Sequence, residues 1–172
     1  MGLKRWTVTA LLASVAMTAL TACGDSDGGG KLEKKSFKIT ERQGDDDFSF
    51  SDNPPKTKLG DQGPEKLSPG DQIGFRSDLI RAGKDVGDLF AQCTVISGES
   101  FMDAGGHCTG VYQLAEGSLS GQVGGKPLFG GETTTGIITG GTGDYLGASG
   151  MFSSPNNPDE TVTTVTIYVP KG

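Results

Sequence analysis

Histidine is almost missing from this chain: His107 is the only one in 172 residues. That removes a Ser-His-Asp triad and any histidine-rich metal centre. Long apolar runs are missing too. The run from Thr7 to Leu20 is too short to favour a membrane-spanning helix, which needs about 20 apolar residues. Basic residues are scarce, 15 against 21 acids, and form no stripe. An acidic surface repels phosphate, so no nucleic-acid partner is expected. Patterns long enough for helices are few, and no 20–50-residue repeat is present.

The N-terminus carries an export signal instead. Lys4 and Arg5 precede the short apolar run, as in a secretory signal peptide. The run ends in "LTAC", Leu20 to Cys23, which resembles the lipobox of bacterial lipoproteins. The resemblance implies cleavage after residue 22, lipidation of Cys23 and anchoring to the outer face of a membrane by acyl chains. The alternative is an ordinary secretory signal with a chance cysteine. Residues 23–35 hold three consecutive glycines and no apolar period, as a flexible tether does. A single domain is expected over 36–172, extracytoplasmic and without a cofactor.

Two further cysteines, Cys93 and Cys108, are most simply a disulfide in an exported chain. A metal site of Cys93, His107 and Cys108 is the rival. It is disfavoured because adjacent strand residues point to opposite faces. Pairing Cys93 with Cys108 across a hairpin sets Ala91 opposite Gly110 and Leu89 opposite Tyr112. Leu89, Ala91, Cys93 and Val95 then share an apolar face with Cys108, Tyr112 and Leu114, so the register agrees with burial.

Glycine is abundant, at 29 residues, and short alternating runs fill the rest. Both predict an all-β domain of about eight strands, a sandwich or barrel. In Asp71–Ile80, Ile73, Phe75, Ser77 and Leu79 fall on one face, and Gln72, Arg76 and Asp78 on the other. The stretch "ITGGTGDYLGASG", Ile138–Gly150, is the densest in glycine. It is no dinucleotide loop, since the third position of that fingerprint is Leu146 and no helix pattern follows. It lacks the lysine of a phosphate loop. A tight β-hairpin is the better reading, with Gly140, Gly141 and Gly143 in conformations closed to other residues.

Two motifs carry a resemblance. "GGTGDYLGASG" is similar to the signature shared by plant allene oxide cyclases and dirigent proteins. "GDQIGFRSDLIRAGKDVG", Gly70–Gly87, resembles the first barrel strand of dirigent proteins. Together they span about Gly70 to Pro170, and actinobacterial lipoproteins with this barrel are a further likeness. The resemblance implies an eight-stranded antiparallel β-barrel, commonly trimeric, around an apolar cavity. Dirigent proteins steer the coupling of phenoxy radicals. Allene oxide cyclases close an epoxide into a cyclopentenone.

By the same resemblance Asp78 is the cavity acid and the expected proton donor; otherwise it is a solvated acid paired with Arg76 or Arg81. Asp144 is a second candidate acid, or ordinary turn chemistry beside glycine. Phe75, Tyr112 and Tyr145 are the expected contacts of a small apolar or aromatic ligand; otherwise the two tyrosines are core or barrel-end packing. Ser149 stands where many dirigent proteins carry arginine. Three functions remain open at this point: a lipid-anchored binding barrel, an isomerase or cyclase, and a structural envelope lipoprotein with a filled lumen.

Overall fold

The computed structural model describes residues 31–44, 47–53, 59–60, 63–64, 66–128, 132–155 and 161–171. Cys23 and the tether up to residue 30 lie outside them. The strands are β1 (Leu32–Arg42), β2 (Phe48–Ser51), β3 (Leu59–Gly60), β4 (Gly63–Pro64), β5 (Gln72–Arg81), β6 (Lys84–Ser97), β7 (Gly105–Leu114), β8 (Gly117–Gly125), β9 (Thr133–Gly141), β10 (Ser149–Pro155) and β11 (Thr161–Pro170). Every pairing is antiparallel.

Alternation decides the architecture. On β5, Ile73, Ser77 and Leu79 are buried while Gln72 is exposed; on β11, Thr163, Val165, Ile167 and Val169 are buried while Val162 and Tyr168 are exposed. Each strand has one face to hide, and burying a large aliphatic side chain stabilises by roughly 1.5–3 kcal/mol. The strands hide those faces by curling into a closed wall. The order is β1-β11-β10-β9-β8-β7-β6-β5-β2, and β1 pairs with β5 as well, which seals the ring.

β1 and β2 occupy one position in that ring. Thr40–Arg42 of β1 pair with Ile80–Asp78, and Phe48–Ser51 of β2 pair with Phe75–Gln72 on the same edge of β5. The wall is therefore eight strands around, as expected. β11 keeps β1 as its partner only as far as Glu41, opposite Thr161. Past that point, among the described residues, β2 pairs with β5 alone.

The cysteine hairpin has the expected register. Cys93 faces Cys108, Ala91 faces Gly110 and Leu89 faces Tyr112, and the two sulfurs are bonded with Cα atoms 3.9 Å apart. β1 reaches back to Leu32, into the stretch read as tether, because Leu32–Lys35 find partners in Ile167–Pro170. Arg81–Gly87 is mostly strand. Only Ala82 and Gly83 turn, with φ of 50° and 74°, between the paired Arg81 and Lys84.

The glycine stretch closes β9 onto β10 through one 3-10 turn, Gly143–Tyr145, and no α-helix follows Leu146 among the described residues. Gly143 and Gly147 have positive φ, but Gly140 and Gly141 do not. Gly141 is needed for a different reason. A Cβ there would sit 2.6 Å from the Tyr145 carbonyl oxygen and 2.7 Å from that of Ser118.

Two apolar clusters pack the two ends of the lumen. One, around Leu79, Leu114, Leu119, Tyr145 and Val169, shuts the end at which β1 begins. The other, around Leu67, Ile73, Val95, Ala104 and Leu128, covers part of the opposite end.

Candidate functional site

A cavity of about 350 Å³ remains between the two clusters. Its walls come from inward positions of successive strands: Phe75 on β5, Leu89 and Ala91 on β6, Cys108 and Tyr112 on β7, Val123 on β8 and Phe152 on β10. The Tyr112 and Phe152 rings meet edge to face at 6.1 Å. Glycine creates part of the space. Gly136 lies opposite Phe152, whose ring covers the place where a side chain would stand. The cavity extends to Gln43, Phe48, Phe101, Thr134 and Thr161, at the end away from Tyr145.

Among the described residues one carboxyl lines this space. Glu41 follows Phe37 and Ile39 on the inward face of β1, and burial raises its pKa above the ordinary carboxylate range. Two hydroxyls donate to the same oxygen: Thr163 to Oε1 at 2.5 Å and Tyr112 to Oε1 at 3.4 Å. Ser154 extends the chain, 2.6 Å from the Thr163 hydroxyl. Those bonds favour the ionised form but are outweighed by the loss of water. Burial and the neighbouring Glu41 also raise the Tyr112 phenol.

The sign gives a prediction. A carboxyl whose pKa is raised by folding binds its proton more tightly in the native state. Its contribution is fully present below the unfolded pKa of 4.5 and is lost as pH rises through the folded value. Glu41→Gln should therefore be nearly neutral for stability at pH 4 and stabilising at pH 8, by on the order of 1 kcal/mol. Urea denaturation at the two pH values checks this. A Gln variant less stable than wild type at pH 8 would mean that the site is built for the carboxylate.

Asp78 is not on this wall. The alternation that turns Phe75 and Ser77 inward sends Asp78 outward, where Arg76 binds it at 2.7 Å together with Asp47 and Asp88. Asp144 is exposed on the 3-10 turn, with its backbone N–H donating to the Glu116 carbonyl at 3.0 Å. Phe75 and Tyr112 line the cavity. Tyr145 is buried at the closed end instead. Its hydroxyl donates to Glu116 at 2.7 Å, and Arg81 reaches the same oxygen at 2.6 Å while lying over the Phe37 ring. Burial and Glu116 push the Tyr145 phenol up to about 12. This group is a plug rather than part of the cavity.

The described residues hold no cluster of three or more histidine, cysteine or acidic side chains able to bind a metal. Nor does a helix among them have the length and apolarity to cross a membrane.

No protein-family model and no curated protein matches this chain. Solved structures do. A pyocyanin demethylase superposes with a TM-score of 0.61 at 21% identity, over 77% of this chain and 99% of its own. The pterocarpan synthase dirigent protein GePTS1 gives 0.57 at 16% identity, over 83% and 87%. The Diels–Alderase AbmU from Streptomyces koyangensis gives 0.52 at 13% identity, over 85% and 72%. The likeness is one of architecture: the chain has the closed eight-stranded antiparallel barrel of the allene oxide cyclase and dirigent type.

Proposed function

We propose that this chain is an exported barrel, held at a membrane surface through lipid on Cys23, that binds a small apolar or aromatic molecule in its lumen and fixes its conformation. The observation that carries this reading is the unfilled cavity of about 350 Å³, walled by Phe75, Tyr112, Phe152 and aliphatic side chains. That volume suits one small organic molecule. An apolar wall with few polar groups can hold such a molecule in one productive shape. The similar barrels are named for chemistry on small molecules: demethylation of pyocyanin, pterocarpan synthesis and a Diels–Alder reaction. A filled structural barrel would lack this cavity.

A second reading is an isomerase or cyclase. What favours it is Glu41, a carboxyl in an apolar wall, which takes the role the resemblance gave to Asp78. Association into a trimer is part of the proposal. The outer wall exposes Met151 beside its cross-strand partner Ile137, and Phe90 beside Val111.

Native mass spectrometry of the protein taken from its own cells tests the whole reading. It should show a retained small molecule, added diacyl mass on Cys23 and a trimer. A bare monomer without lipid would refute it. In vitro, Ala91→Phe places a ring in the lumen. It should weaken binding of the neutral dye N-phenyl-1-naphthylamine at least about tenfold, with an unchanged far-UV spectrum. Undiminished binding would put the dye elsewhere.

A further inference from the structure

We infer that the cavity is built for an uncharged ligand with a hydrogen-bond acceptor, such as a carbonyl or quinone oxygen, which receives the proton held on Glu41 Oε2. The inference rests on the cavity-binding reading and adds the chemical class of the ligand.

Geometry places the proton. Thr163 and Tyr112 both approach Glu41 Oε1. A hydroxyl has one proton to give, so when Thr163 gives its proton to Glu41, the Ser154 hydroxyl is the one left to donate to the Thr163 oxygen, 2.6 Å away. With both hydroxyls donating to Oε1, that oxygen serves as the carbonyl of the acid, and the inference assigns the acid's own proton to Oε2. Oε2 takes part in neither bond.

The surroundings keep that proton in place. Among the described residues that line the cavity there is no lysine, arginine, histidine or aspartate, and Tyr112 is the only other one that titrates, since Cys108 is tied up in the disulfide. The cross-strand neighbours of Glu41 are Leu79 on β5 and Thr161 on β11, both uncharged. Arg76 and Asp78 on β5 point to the outer face. A carboxylate without a cation in such a place is costly, and a neutral acid is not. The neutral acid then has one donor left and needs a partner in the lumen. A ketone or quinone oxygen satisfies it. A carboxylate ligand would meet no cation, and a pure hydrocarbon would leave the donor unpaired.

Three probes of similar size separate these cases on the purified full chain: naphthalene, 1-acetonaphthone and 1-naphthoate. Wild type should bind 1-acetonaphthone about tenfold more tightly than naphthalene, and 1-naphthoate least. The preference should shrink as pH rises and Glu41 ionises. Glu41→Gln also donates, through its amide, and should keep the preference while losing its pH dependence. Glu41→Ala should abolish it, and Tyr112→Phe should leave most of it, because the phenol is not the donor to the ligand. Circular dichroism establishes that each variant is folded. Equal binding of 1-acetonaphthone and naphthalene, or tightest binding of 1-naphthoate, overturns the assignment of Glu41 but leaves the cavity reading standing. Binding of none of the probes overturns the cavity reading and this inference with it.

Discussion

Changing Cys93 and Cys108 together to alanine should lower the unfolding free energy by about 3 kcal/mol. The bridge ties residues 15 apart in sequence. Most of its effect lies in the unfolded chain, which loses freedom when that loop is closed. Alanine is the right replacement. Both residues are buried, Cys93 completely, so serine would add hydroxyls without partners and confuse the cost of burial with the loss of the link. For a domain of this size the loss should appear as a drop in Tm of roughly 6–12 °C. Urea denaturation gives the free energy directly. A change under about 1 kcal/mol would show that the strand pairing alone fixes the hairpin.

Gly136→Val should be nearly as damaging, at about 2–3 kcal/mol. A Cβ at Gly136 would come within 2.3 Å of the tip of the Phe152 ring and 2.5 Å of the Gln122 carbonyl oxygen. The ring could swing away, but the carbonyl belongs to the β8 backbone and cannot move without disturbing the wall. Phe152 also forms part of the cavity and meets Tyr112. The same substitution should therefore weaken binding of the naphthylamine dye. Gly140→Val is the control, since nothing lies within 4 Å of a Cβ there. Similar losses at both positions would mean that β9 needs glycine for its backbone rather than for space.

Much of this was legible in the sequence wherever side-chain alternation did the work. Pairing the two cysteines fixed the register of β6 and β7 and put Tyr112 on the face of Leu89 and Cys93; that this face is the lumenal one came only with the closed ring. Alternation also placed Asp78 opposite Phe75, against the resemblance that made it a cavity acid, and in the structure it faces outward. Glu41 was visible by the same rule. In "KSFKITER" it shares a face with Phe37 and Ile39, and a charged residue on an apolar strand face is a signal. What the sequence does not display is the company Glu41 keeps. Thr163 and Tyr112 are 122 and 71 residues away along the chain, and only closure of the ring brings them together. Tyr145 was misleading for a similar reason. Its partners Arg81 and Glu116 come from two other hairpins, and together they make a stopper instead of a ligand contact.

Traffic into the lumen follows from where the backbone joins the wall. Lys31 and Leu32 enter beside Lys171 and Pro170, at the end stoppered by Tyr145, while the cavity runs toward the other end, past Gln43 and Thr161. With acyl chains on Cys23, only seven residues would separate the lipid from Lys31, so the blind end would sit toward the bilayer and the doorway would look away from it. Guests would arrive from the aqueous side.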